Sequence, residues 1–328
     1  MRFLIAGYGS IGRRHMRNLL AQGEKDILLF RTHKSTLPDD ELDNFVVETD
    51  IQAALDHKPD AVIVANPTAY HLDVAIPAAK AGCHLLLEKP ISHNYERLNI
   101  LEGALRDNQS HALVGFQFRY HPGLQQIKDL LDEGEIGKPV SVHAHWGEYL
   151  PGWHPWEDYR KSYSAREDLG GGVVLTLSHP LDYLRWLLGE VDTVWAFTQK
   201  ISDLEMQVEA VAEIGLQFSQ GTIGSLHLNY IQQPSTHRLE IVGTRGTIRW
   251  DNSDGVTRLF KPDSTKWISF PLPEGFERND LFLSEINHFI KVIQGKEEPV
   301  CTLEDGKRAL KLAIAVHKSA QYGKLIRF

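Results

Sequence analysis

The chain has 328 residues, 42% of them hydrophobic and 24% charged, the balance of an ordinary globular protein with room for about two domains of roughly 150 residues each. Its 35 Lys and Arg are outweighed by 43 Asp and Glu, for a net charge of −8. That argues against nucleic acid or an anionic membrane as a partner, since both need a basic footprint. Two cysteines, Cys83 and Cys301, are too few for a disulfide framework or a four-thiolate zinc site, and no metal is expected. No apolar run approaches the 18 or so residues of a membrane span. The apolar opening Phe3-Leu4-Ile5-Ala6 is too short for a signal peptide, so a cytoplasmic enzyme is the expectation.

Up to about residue 120, short apolar runs alternate with helix-like stretches. Residues 3–6, 27–30, 61–65, 84–87 and 112–114 are expected as strands buried on both faces, and residues 10–22, 50–57, 72–81 and 95–108 as helices. That alternation means right-handed crossovers and a parallel, doubly wound sheet, a Rossmann-type α/β domain over residues 1–120. A helix over 122–133 follows, and Gly137-Lys138-Pro139 introduces a strand. Residues 208–218, 222–230, 237–242, 247–251, 256–260 and 266–270 then alternate with period two, which predicts a mostly antiparallel, open sheet. Helices over 281–293 and 303–321 close a second α/β domain spanning 121–328.

Gly7-Tyr8-Gly9-Ser10-Ile11-Gly12 fits G-x-G-x-x-G directly after the first strand. Gly7 allows the tight turn, Gly9 lets a pyrophosphate touch the backbone, and Gly12 lets the helix pack close. Ser10 and Ile11 open the helix whose N-terminal amides face the phosphates. A dinucleotide specific for NAD wants an acid at the end of the second strand, on the ribose 2′-hydroxyl. This chain has Phe30-Arg31-Thr32-His33-Lys34 there. Arg31 suits a 2′-phosphate and adenine stacking, with Thr32 and Lys34 as further donors. NADP is therefore the expected cofactor, with NAD possible should these cations form only a solvated turn.

Further along, Asn66-Pro67-Thr68 follows the third strand and His71 opens the next helix. Glu88-Lys89-Pro90 ends the fourth, and Gly170-Gly171-Gly172 leads to His179-Pro180-Leu181-Asp182. Together with the glycine motif, this order resembles the glucose-fructose oxidoreductase, inositol dehydrogenase and MocA family over nearly the whole chain. The resemblance implies a Rossmann domain followed by an α/β domain whose sheet mediates homodimers or homotetramers. It also implies a sugar, polyol or nucleotide-sugar substrate. Asn66, Pro67, Thr68, His71 and Glu88 fall on its cofactor side, with Glu88 against the nicotinamide ribose.

Lys89 stands at the carboxyl end of a strand in an open parallel sheet, where ligands bind. Pro90 makes a cis peptide possible. A lysine there holds the reacting oxygen and stabilises charge developing during hydride transfer. His179 begins a helix, where the dipole disfavours its charged form and leaves it available as a base. Asp182, one turn along, is placed to orient the ring or bind a substrate hydroxyl. The resemblance also leads to an acid about four residues before the histidine, but the chain has Leu175 and Thr176 there. Thr176 is no base at neutral pH and is expected as a substrate contact.

Residues 143–163 are dense in rings, three tryptophans among them, and suggest a loop stacked over a sugar face. Trp153, Trp156, Tyr159 and Arg160 are its candidate substrate residues, with Gln117 and Tyr120 near the expected domain junction; core packing and solvated surface are the plainer alternatives. The leading expectation is an NADP-dependent sugar or polyol oxidoreductase. A cofactor-sensing regulator and a redox-neutral epimerase or glycosidase with tightly held cofactor stay open beside it.

Overall fold

The computed structural model describes residues 1–32 and 41–328; Lys34, one of the expected phosphate donors, lies outside them. In chain order the elements begin β1 (Arg2–Ala6), α1 (Ser10–Ala21), β2 (Asp26–Phe30), β3 (Val46–Glu48), α2 (Ile51–Asp56), β4 (Ala61–Val64), α3 (His71–Lys80), β5 (His84–Glu88), α4 (Leu98–Asp107) and β6 (Ala112–Gly115). The six strands form one wholly parallel sheet in the order β3-β2-β1-β4-β5-β6. Phe3 to Ala6, Ala61 to Val64 and Leu85 to Leu87 are all buried. That is why they read as unbroken apolar runs rather than alternating ones. The order reverses between β1 and β4, so the carboxyl ends of β1, β2, β4 and β5 ring the crevice where such sheets take ligands.

The chain continues with α5 (Pro122–Asp132), β7 (Pro139–Tyr149), α6 (Val173–Thr176), α7 (His179–Leu188), β8 (Val191–Gln199), β9 (Val211–Phe218), β10 (Ile223–Asn229), β11 (Ile231–Gly243), β12 (Gly246–Asp251), β13 (Thr257–Phe260) and β14 (Ile268–Phe270). It ends in α8 (Arg278–Ile293), α9 (Leu303–Tyr322) and β15 (Ile326–Arg327). A nine-stranded sheet runs β14-β13-β12-β11-β7-β10-β9-β8-β15, antiparallel except for the β10–β7 pair. Its inner face buries Trp146, Ile214, Leu226, Leu239, Ile241, Ile248 and Trp250. In register on the other face lie Trp195, Gly215, Ser225, His143, Glu240 and Arg249, with Trp195 and Phe197 exposed.

Two compact units result. The first holds Met1–Gln117, Asp168–Gly170 and Arg278–Lys307; the second holds Phe118–Glu167, Gly171–Glu277 and Arg308–Phe328. The expected break at residue 120 thus falls three residues earlier, and the first unit is not one contiguous segment. Helix α8 belongs to it because its apolar side, with Ile286 and Phe289, joins the core cluster of Phe3, Ile5, Leu19 and Ile63. Among the described residues no helix is long and apolar enough to cross a membrane.

Candidate active site

The glycine turn has the shape a pyrophosphate needs. Gly7 sits at φ +99°, and a Cβ on it would stand 2.5 Å from the backbone nitrogen of Asn66. A Cβ on Gly12 would run into the Gly7 carbonyl oxygen. Gly9 is the opposite case: among the described residues a Cβ there meets nothing within 4 Å, and as the N-cap of α1 Gly9 offers the first-turn amides no side-chain acceptor of its own. An open backbone face beside uncapped N–H groups is a cradle for an anion, so the residues fit a dinucleotide. Gly9→Ala is expected to leave the melting temperature within about 2 °C of wild type while weakening NADPH binding at least about tenfold, the equivalent of about 1.4 kcal/mol. Gly12→Ala is expected to lower both. Calorimetry paired with fluorescence titration separates the two.

At the end of β2 the Arg31 amide bonds the Glu48 carbonyl at 3.0 Å, and the residue is buried. Its guanidinium lies 5.8 Å from the Tyr8 ring centroid, and that of Arg13 lies 4.4 Å from the same ring. The Tyr8 hydroxyl donates to Glu41 at 3.3 Å, and Arg17 pairs with the same carboxylate. Thr32 is exposed. Arg13 and Tyr8 were not singled out in the sequence. They belong here because the helix turn carrying Arg13 folds back over the ring that follows Gly7.

Behind the turn after β4, the Asn66 side chain donates to the Tyr70 carbonyl at 2.9 Å, and His71 Nε2 bonds the Asn66 carbonyl at the same distance. His71 and Thr68 are buried, and burial lowers the His71 pKa. His71 therefore ties Asn66, Pro67 and Thr68 into shape from within, while Asn66 backs Gly7.

Glu88 ends β5 and Lys89 follows it directly; the Lys89–Pro90 peptide is cis. Lys89 keeps part of its surface open, yet desolvation pushes its amine down to about 8; Arg278 works in the same direction and the Glu88 charge against it. Glu88 is buried. Its Oε1 meets His15 Nε2 at 2.8 Å, and its Oε2 accepts the Lys89 amide at 3.3 Å. Glu285 of α8, fully buried, completes the group: one ligand-type atom each from His15, Glu88 and Glu285 lie within 4.8 Å of one another. His15 and Glu285 were not read from the sequence, where 73 residues already separate His15 from Glu88.

In the second unit His179 is the first residue of α7 and is buried. The Phe118 ring is edge-on to it at 5.0 Å and the Trp146 ring tilted at 5.6 Å. Asp182 is buried as well, and both its oxygens accept from Arg119: Nε at 2.9 Å and Nη2 at 2.6 Å. The expectation that this carboxylate orients His179 or binds a hydroxyl thus meets a bidentate partner already in place. Thr176 is buried in α6 and stands beside Tyr230, whose hydroxyl donates to the Gly172 carbonyl at 3.0 Å.

The ring-rich segment divides. His143, His145, Trp146 and Tyr149 belong to β7 rather than to a loop, and Trp146 faces the core, stacked on His237 at 4.3 Å. His143, His145 and His227 on the open face have neighbours of their own: Ser225 at 2.9 Å, Gln232 at 2.6 Å and Glu213 at 2.7 Å. Trp153 meets the Tyr230 ring edge-on at 5.9 Å. Tyr159 donates to the Leu204 carbonyl at 3.0 Å. Trp156 is 63% exposed, and exposed Arg160 pairs with Asp158 and Glu205. Gln117 is buried in the first unit, and Tyr120 is half-buried in the second.

Residues 1–116 match the model described as "Oxidoreductase family, NAD-binding Rossmann fold", and residues 124–249 match that of the GFO/IDH/MocA C-terminal domain. A myo-inositol 2-dehydrogenase of Thermotoga maritima is 27% identical, over 100% of this chain and 98% of its own length. A levoglucosan dehydrogenase of Pseudarthrobacter phenanthrenivorans is 30% identical over 62% of this chain and 58% of its own. Among solved structures, a levoglucosan dehydrogenase in complex with NADH and levoglucosan superposes with a TM-score of 0.87 at 19% identity, covering 100% of this chain and 99% of that one. The WlbA dehydrogenase of Bordetella pertussis, in complex with NADH and UDP-GlcNAcA, gives 0.84 at 23%, covering 100% and 98%. At these identities the structural likenesses speak for the fold, and the two matched models speak for descent. The chain belongs to the Gfo/Idh/MocA family of oxidoreductases.

Proposed function

We propose that the protein is a nicotinamide-dependent dehydrogenase or reductase acting on a CH–OH carbon of a sugar, polyol or nucleotide sugar, with NADP preferred over NAD. The observation that carries this is Lys89, a desolvated amine at the carboxyl end of β5 in the sheet whose glycine turn is open at Gly9. A bound nicotinamide supplies the hydride acceptor or donor. Lys89 holds the reacting oxygen, Glu88 fixes Lys89, and His179 exchanges the hydroxyl proton. Asp182 acts through its Arg119 pair as a positioning residue for α7. Gln117, Tyr120, Trp153, Trp156, Tyr159, Arg160 and Thr176 remain the proposed substrate residues. The myo-inositol and levoglucosan dehydrogenase relatives support the substrate class.

Turnover on a panel of pyranoses, anhydrosugars, inositols and nucleotide sugars, followed at the reduced-nicotinamide absorbance band, tests the reading. Product without a net absorbance change would mean redox-neutral chemistry, and binding without turnover would mean a sensor.

NADP preference rests on Arg31, with Arg13 beside it on the Tyr8 ring. A fluorescence titration is expected to show NADPH binding at least about tenfold tighter than NADH. Arg31→Ala is expected to remove most of that ratio by weakening NADPH alone. Equal affinities in the wild type would return the cofactor to NAD.

The exposed Trp195 and Phe197 on the open sheet face support a homodimer or homotetramer assembled through that face. Phe197→Glu is expected to lower the mass measured by light scattering.

A further inference from the structure

Glu285 is a buried carboxylate of the first unit that the proposed chemistry leaves unused. It lies on α8 with none of its surface exposed, and among the described residues neither carboxylate oxygen has a hydrogen-bond partner, nor does the Nδ1 of nearby His15. A carboxylate oxygen of Glu88 and a ring nitrogen of His15 lie within 4.8 Å of its carboxylate. A second buried carboxylate beside an ionised one is strongly disfavoured, because two like charges in a desolvated pocket do not both persist. A proton on one of them removes that repulsion. Glu88 is the poorer candidate to carry it, since its two oxygens already accept from His15 and from the Lys89 amide.

We propose that Glu285 is a positioning residue for Lys89: a neutral carboxylic acid whose O–H is given to the Glu88–His15 couple, locking the Glu88 carboxylate against Lys89. This rests on the reading of Lys89 as the group that holds the reacting oxygen. One proton relieves the clash of the two carboxylates. His15 Nε2–H donates to Glu88, Glu285 donates to the couple, and Glu88 keeps its charge beside the Lys89 amine. The electrostatics agree. Burial, reinforced by the Glu88 charge, raises Glu285 well above the usual carboxylate range. Burial acts on Glu88 in the same sense, but the His15 hydrogen bond and the Lys89 charge help outweigh it and hold Glu88 low. Among the described residues, further charged groups near the pocket are Arg14 on α1, which interacts with Glu88, and Arg278 at the start of α8, which acts on Lys89 and Arg14.

The test uses the full-length protein and has one readout independent of activity. The infrared difference spectrum of wild type minus Glu285→Gln at neutral pH is expected to show the carbonyl stretch of a buried protonated carboxylic acid. A carboxylate signature instead overturns the proposal, as does a stoichiometric divalent metal, by elemental analysis, that Glu285→Gln loses. Glu285→Gln keeps a donor and is expected to keep kcat and its pH profile. Glu285→Leu removes the donor, so Glu88 takes up a proton more readily and Lys89 loses its countercharge. Its kcat is expected to fall about tenfold, with nucleotide affinity unchanged and the Lys89 break displaced to lower pH. If Glu285→Leu fails to fold, Glu285→Asp, one methylene shorter, is read in its place with the same expectation. Unchanged kcat and an unchanged break in the folded variant refute the positioning role. Full activity in Lys89→Ala would refute the underlying reading of Lys89 instead, and the infrared band reports on Glu285 in either case.

Discussion

Lys89→Ala is expected to lower kcat about a thousandfold on whichever sugar or polyol the panel identifies, the loss seen when a charge-stabilising donor is removed from a reacting oxygen. Nucleotide affinity is expected to stay near wild type, because the glycine turn and Arg31 are untouched. A parallel fall in affinity would relocate Lys89 to the cofactor. The pH profile adds a second arm. Burial pushes the amine down to about 8, so in the direction of carbonyl reduction, where the ammonium donates to the carbonyl oxygen, the rate is expected to fall as pH rises through about 8. Lys89→Arg keeps a cation at all accessible pH values and is expected to lose that break. For stability the sign is the reverse of an ion pair's. A base whose folded pKa is depressed penalises the fold at and below about pH 8, and the penalty fades as pH rises toward the ordinary value near 10.5.

The parallel sheet was legible in the sequence because its strands are buried on both faces and leave unbroken apolar runs. What escaped has physical reasons. Strand β3 is three residues at the sheet edge, too short for any period to show. Strand β8 alternates, but Trp195 and Phe197 point outward, so apolar residues fall on both faces and the pattern dissolves. The candidate site was legible wherever its proposed chemistry is written in consecutive residues: the glycine turn, Glu88-Lys89-Pro90, and His179 at a helix start. It was illegible wherever it depends on distance in space. Glu285 carries no local mark, since a Glu in an amphipathic helix is ordinarily solvated. Only the return of α8 to the first unit turns it into a buried acid beside Glu88. Arg119 likewise carries no local mark of its bond to Asp182, 63 residues away.

That pair carries the largest expected effect on stability. Arg119 and Asp182 are both buried, and their bonds are short and bidentate. Removing one partner strands the other's charge in a desolvated pocket, so Arg119→Leu is expected to cost about 3–5 kcal/mol, a drop in melting temperature of roughly 10 °C. Asp182→Leu is expected to cost a similar amount. The double variant exchanges the pair for apolar packing and is expected to recover most of the loss, with a coupling of a few kcal/mol in the cycle. Recovery of stability separates the two roles open to Asp182. If its work is to fix α7 so that His179, one turn earlier, keeps its position between Phe118 and Trp146, the double variant melts like wild type yet turns over slowly, with kcat reduced and KM little changed. That is the expected outcome, because a well-packed apolar pair restores density without restoring a bidentate lock on one rotamer. Wild-type kcat in the double variant would remove Asp182 from the catalytic machinery and leave His179 to act without it.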